Sequence, residues 1–161
     1  VSYFLSESLG FGLKYCMFNS ENSMDNIYII DANGNTRYGK MSDNLSISFM
    51  GPILSTRFLN YNKSNAFMMN IGLGYINYSN DKVIIDEYKM TGNTMGLTLD
   101  FGYDIGISEN LLFGFQISLL TATLFEFEWD DGTTTETIEL EKDEYESLAR
   151  VDFSIGLTFS K

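Results

Sequence analysis

The feature that most restricts what this chain can fold into is a two-residue alternation in which one parity is apolar and the other is largely glycine. Between 92 and 107 the odd positions are Asn93, Met95, Leu97, Leu99, Phe101, Tyr103, Ile105 and Ile107. The even ones are Gly92, Thr94, Gly96, Thr98, Asp100, Gly102, Asp104 and Gly106. Side chains alternate across a strand, so the stretch has one apolar face and one face of small and polar groups. The pattern returns at Leu9, Phe11, Leu13, Tyr15 and Met17, at Phe67, Met69, Ile71, Leu73 and Tyr75, and from Tyr145 to Phe159. Leu45, Ile47 and Phe49 begin it again, but beyond Gly51-Pro52 the apolar parity moves to Leu54 and Phe58, which predicts a bulge at that point. In 111–127, Leu112, Leu120 and Leu124 break the rule. Six strands are expected, at 9–18, 45–59, 66–79, 92–107, 111–128 and 145–159.

Connections alternate in length. Ser6-Glu7-Ser8, Asn60 to Asn65 and Ser108-Glu109-Asn110 are tight, whereas 19–44, 80–91 and 128–144 are long and rich in Asn, Asp, Gly and Thr. One rim of the sheet should therefore carry turns and the other loops. Tyr3-Phe4-Leu5-Ser6-Glu7-Ser8-Leu9-Gly10-Phe11-Gly12 is echoed by Tyr103 to Gly114, so both read as strand, tight turn, strand. Val1 to Tyr3 is thus expected to end a strand that begins upstream, and the single domain 1–161 to be N-terminally incomplete.

The alternation fits a soluble barrel or sandwich with its apolar face inside or a membrane barrel with that face outside. Ten of the 14 glycines lie on the polar parity. Glycine weakens a water-facing strand, but a narrow bore needs small inward residues. The apolar face is therefore expected to meet lipid. Closed barrels are also the only sheets a bilayer accepts, because every backbone group is paired within the chain. Other functions are removed by composition: a net charge of −12 excludes a nucleic-acid surface, and the absence of His removes the usual general base and metal ligand. A single Cys16 closes no internal disulfide. No apolar run reaches the roughly 18 residues of a helical span.

The strand-turn-strand phrases at 3–13 and 103–115, the glycine-alternating Asn70-Ile71-Gly72-Leu73-Gly74-Tyr75 and 96–107, and the closing Phe153-Ser154-Ile155-Gly156-Leu157-Thr158-Phe159 resemble the small outer-membrane β-barrel proteins of Gram-negative bacteria. The likeness is to the porin-like and OmpA/OmpX-like barrel domains common in Bacteroidota. It implies an all-β, antiparallel, up-and-down transmembrane barrel of eight strands with tight periplasmic turns and long external loops. The first one to two strands would then lie outside this numbering. The closing strand resembles the insertion signal of that family, although Ser160-Lys161 after Phe159 departs from its terminal aromatic.

Six inward charges, Lys14, Arg57, Asp100, Asp104, Arg150 and Asp152, are expected to form an ion network that fills the bore, since charges removed from water must be paired; a polar pore lining is the alternative. Tyr15, Tyr75, Tyr78, Tyr103, Tyr145 and Trp129 are placed for an aromatic girdle. Asp31-Ala32-Asn33-Gly34-Asn35 begins like a calcium loop but lacks its twelfth-position Glu, so a hairpin turn at Asn33-Gly34 is the better reading. Ten of the 22 acids lie in 126–146, with Lys142 the only base there. That stretch, expected as a hairpin over 121–145 turning near Asp130-Asp131-Gly132, is a candidate contact for a protein partner or a divalent cation, with Glu126, Glu128, Asp130 and Asp131 as its weak metal candidates. The expectation is a non-enzymatic, cofactor-free module of the bacterial outer membrane that contacts lipid and presents external loops. Alternatives are a small passive channel and a soluble lipocalin-like ligand-binding barrel.

Overall fold

The computed structural model describes residues 1–30, 34–62, 64–84, 86–108 and 110–159. Its strands are β1 (Ser2–Phe4), β2 (Leu9–Ile30), β3 (Thr36–Leu59), β4 (Asn65–Ile84), β5 (Asp86–Ser108), β6 (Leu111–Leu124), β7 (Glu126–Asp130), β8 (Thr135–Glu139), β9 (Glu146–Ser147) and β10 (Arg150–Phe159). They pair antiparallel in the order β1-β2-β3-β4-β5-β6-β10, with β7 on β5, β8 on β7 and β9 on β6. The chain is thus an up-and-down all-β sheet whose edges, β1 and β10, do not pair with each other.

Side chains that cross the sheet show how strongly it curls. Lys14 of β2 bonds to Thr98 and Asp100 of β5 at 2.8 and 2.5 Å, although β2 and β5 would lie about 14 Å apart in a flat sheet. Arg150 of β10 reaches Cys16 of β2, with Nη2 3.6 Å from Sγ, across what would be about 24 Å if flat. The sheet is a half-barrel, and these side chains lie on its concave face.

Residues paired across an antiparallel ladder share a face, so register decides which parity points inward. β4 pairs with β5 like to like, Gly74 with Gly96, and β5 with β6 likewise, Thr98 with Leu120. Even residues face inward on these strands, so Leu120 and Leu124 keep to the rule as inward apolar groups and both are buried. β3, however, pairs with both neighbours at opposite parity, Cys16 with Phe49 and Phe49 with Ile76. Its odd residues are therefore inside: Phe49 is fully buried, while Met50 and Leu54 are exposed. This corrects the expected bulge at Gly51-Pro52. The register holds without shift from Leu9–Thr56 to Met24–Met41, and the irregularity lies instead between Met24 and Ile27, where Asn26 has φ 59°.

A second correction concerns the long connections. β2 and β3 continue pairing to Ile30–Thr36, and β4 and β5 to Ile84–Asp86, so 19–44 and 80–91 are largely two-stranded ribbons and not open loops. The strands expected at 111–128 and 145–159 are also interrupted, at Phe125 and at Leu148-Ala149. Tyr28 opposite Tyr38 agrees with the hairpin assigned around Asn33-Gly34, although Asp31, Ala32 and Asn33 lie outside the described residues, as do Ser160 and Lys161.

The core sits within the curl, toward the loop rim. Phe49, Ile76, Leu120, Ala122, Leu124 and Leu148 form it, with Cys16, Ile47, Tyr78 and Phe127 packed against them. The inward glycines make this possible. A Cβ on Gly74 would stand 2.6 Å from the Phe49 ring, and one on Gly96 would collide with Ile76 Cδ1.

Candidate functional site

Below that core, toward the turn rim, register aligns a polar row on the concave face: Ser55, Asn70, Asp100, Ser118 and Asp152 occupy adjacent positions on β3, β4, β5, β6 and β10. Lys14 enters it from β2. Its ammonium donates to Asp100 Oδ1, to Thr98 Oγ1 and, at 3.4 Å, to Ser118 Oγ. Asn70 donates to the other Asp100 oxygen at 3.4 Å, and Gln116 to Ser118 at 2.9 Å. Asp100 is 1% exposed, so its charge is offset by this set of donors as a buried carboxylate requires.

Of the six inward charges, the structure joins Lys14 with Asp100 and Arg150 with Asp152, the latter at 2.8 Å. It does not join the six into one network. Arg57 sits at the turn rim, donating to the Glu7 carbonyl at 2.7 Å with its guanidinium 4.0 Å from the Phe4 ring centre. Asp104 is buried and hydrogen-bonded to Thr158. The neutral members Ser55, Asn70, Thr98, Ser118 and Gln116 were not singled out from sequence. Their signal was present, since each is a polar residue on the inward parity among glycines.

The loop rim is built differently. β7 leaves the line of β6 at Phe125 and pairs with β5, Glu128 opposite Thr91, and β8 returns along β7. Glu126 and Glu128 share one side of a groove of about 430 Å³ with Asn77, Asn93 and Thr137. Asp130 and Asp131 are engaged by the turn: Asp130 accepts from the Gly132 amide, and Asp131 from the amides of Thr133 and Thr134, all at 2.8 Å. The Thr134 and Thr133 amides hold the Asp131 carboxyl below its ordinary range. Among the described residues no group of three or more acidic, Cys or His side chains is arranged to hold a metal ion. On the neighbouring ribbon Arg37 forms a two-pronged pair with Asp86 at 2.8 and 2.9 Å, and that hydrogen bonding lowers the Asp86 pKa.

The aromatics divide between faces. Tyr15, Tyr75 and Tyr103 are exposed on the convex side, as a girdle needs. Tyr78 instead packs on the core, because the even parity of β4 is inward. Trp129 stacks on Tyr88 at 4.3 Å, and Tyr145 meets Phe125 edge-on at 4.9 Å. In comparisons with known proteins, no family model, curated protein or solved structure matches this chain.

Proposed function

We propose that this chain is a non-enzymatic integral protein of a bacterial outer membrane. In this reading it is a closed, porin-like transmembrane β-barrel when inserted, and its rim ribbons present a contact surface. The observation that carries the reading is the convex face. On β2 to β6 and β10 it is apolar and exposed over similar spans, for example Phe67 to Tyr75 on β4 and Val151 to Phe159 on β10. Above Tyr75 the same face turns polar at Asn77, Ser79 and Asp81. Nine residues span roughly 30 Å along a strand, which suits the tilted strands of an apolar band about 25 Å tall. Water offers no reason for such a belt, whereas hydrocarbon requires one.

Two other readings are less well supported. A soluble ligand-binding barrel would turn this face inward. A passive channel would need an open bore, and Phe49, Ile76 and Leu124 fill the loop-side half. The rim's contact role is supported by its acidic groove at Glu126 and Glu128, which favours a basic partner surface, with an effect that weakens as salt rises.

The test is insertion. The protein should require detergent or lipid to stay monodisperse and should migrate differently on gels before and after heating. Leu99→Arg, on the convex face near mid-belt, should cost about 2–4 kcal/mol of folding stability in lipid. A stable monomer in plain buffer would overturn the reading. If planar bilayers with the inserted protein showed large uniform conductance steps, the channel would replace it.

A further inference from the structure

Register places a patch of small polar side chains on the convex face directly above the apolar belt. On β4, Tyr75 is followed on the same face by Asn77 and Ser79, so the change from apolar to polar takes about 7 Å of strand. Asn77 pairs with Asn93 of β5, and Ser79 with Thr91. Thr91 pairs in turn with Glu128 of β7, and Glu128 with Thr137 of β8. Residues paired across a ladder share a face, so these side chains all turn outward, with Glu126 two positions before Glu128. They line the groove of about 430 Å³. Tyr78 and Phe127 border it, but they pack on the core.

The groove has two unlike sides. Asn77, Ser79, Asn93 and Thr91 bring neutral carboxamides and hydroxyls from β4 and β5, whereas Glu126 and Glu128 bring carboxylates from β7. Thr91 donates to Glu128 at 3.5 Å. Among the described residues neither carboxylate is in an ion pair, and Lys89, next along the same face of β5, is held by Asp81 at 3.3 Å. The groove opens sideways from the convex face, immediately above exposed Leu73, Tyr75, Met95 and Leu97. An occupant that covers both must be apolar below and polar above.

We propose that the groove holds the headgroup of one membrane lipid bearing a primary ammonium, with its acyl chains against Leu73, Tyr75, Met95 and Leu97. The ammonium lies at Glu126 and Glu128, because its three N–H donors serve both carboxylates in charge-assisted bonds. The phosphate beside it lies toward Asn77 and Asn93, whose amides donate from the side of the groove that carries no charge. A quaternary ammonium has the charge but no N–H, and no aromatic face lines the groove to hold it. A hydroxyl headgroup leaves both carboxylates uncompensated as they lose water. A basic protein surface approaches from beyond the rim and meets Asp130, Asp131 and Glu136 first, whereas lipid already lies beside the groove. The proposal rests on the membrane reading and goes beyond it by naming the lipid class.

The test uses the full chain in detergent micelles doped with phosphatidylethanolamine, phosphatidylcholine or phosphatidylglycerol of identical acyl chains, with retained lipid counted by native mass spectrometry. One phosphatidylethanolamine should be held per chain, about tenfold or more tightly than either of the others, and added salt should narrow the difference. Glu126→Gln with Glu128→Gln should abolish that ranking. Glu136→Gln with Glu141→Gln removes the same charge elsewhere on the rim and should leave it intact. The ranking is read on the unaltered chain, so equal retention of the three lipids overturns the site even where a variant fails to fold. If a lysine-rich decapeptide binds through Glu126 and Glu128 while the lipids rank equally, a basic protein partner replaces the lipid. A chain that enters micelles and holds lipids without preference refutes the site alone, whereas one that is monodisperse without detergent refutes the membrane reading and the site together.

Discussion

The two halves of the concave face fill the same narrow space in opposite ways. Toward the loop rim, Phe49, Ile76, Leu120 and Leu124 pack as a small apolar core in gaps left by glycines on the adjoining strands. Toward the turn rim, Lys14, Asn70, Thr98, Asp100 and Ser118 fill it with hydrogen-bonded polar groups. The first half depends on volume, because dispersion and burial are lost when atoms are removed. The second depends on pairing, because a buried charge is tolerated only with its donors in place. Substitutions should therefore separate the halves by the kind of partner that rescues them.

The largest effect is expected at Phe49, which is fully buried. Phe49→Ala should lower unfolding stability by about 3–5 kcal/mol, read by denaturant titration in detergent, with no polar second change able to restore it. Next is Lys14→Met, which leaves Asp100 buried without its cation and should cost about 2–4 kcal/mol. Lys14→Met with Asp100→Leu should recover most of that loss. A double variant no better than the single would show that the Lys14–Asp100 pair is not the unit that matters. Gly74→Ala should then cost about 1–3 kcal/mol by pushing on both the Phe49 ring and the Met50 carbonyl, and Phe49→Leu should relieve only the part that comes from the ring.

The smallest effect concerns the rim. The Asp131 and Asp86 carboxyls are held below their ordinary pKa by hydrogen bonds that only the folded ribbons supply. Their contribution is complete above the usual carboxylate range and is lost as pH falls through the depressed folded values. The protection of the Thr133 and Thr134 amides, taken relative to their intrinsic exchange rate at each pH, should therefore fall on acidification before that of the half-barrel strands, and Asp131→Asn should reduce that pH dependence.

Much of the fold was legible in the chain. The inward parity of β4, β5 and β10 and the tight turns follow from local alternation and turn chemistry, and the Asp130-Asp131-Gly132 turn lies where its residues placed it. The face of β3 was not legible. Leu45, Ile47 and Phe49 have the alternation of an apolar face turned outward, yet Phe49 is inside, because a strand's face is set by its register with neighbours and not by its own pattern. The candidate site divides the same way. That six charges face inward was readable from parity, but their pairing was not, since Lys14 and Asp100 are 86 residues apart in sequence.

Taken by itself, the sequence determined a two-faced antiparallel sheet, one rim of turns, and an acidic rim opposite, because these rest on a period of two, on glycine and on local charge. Tertiary structure alone decided that the odd residues of β3 point inward, that the long connections pair as ribbons, and that the interior divides into apolar and polar halves. It also decided that the edge strands β1 and β10 run in the same direction. Each of those depends on curvature and inter-strand register, which arise only when distant segments meet.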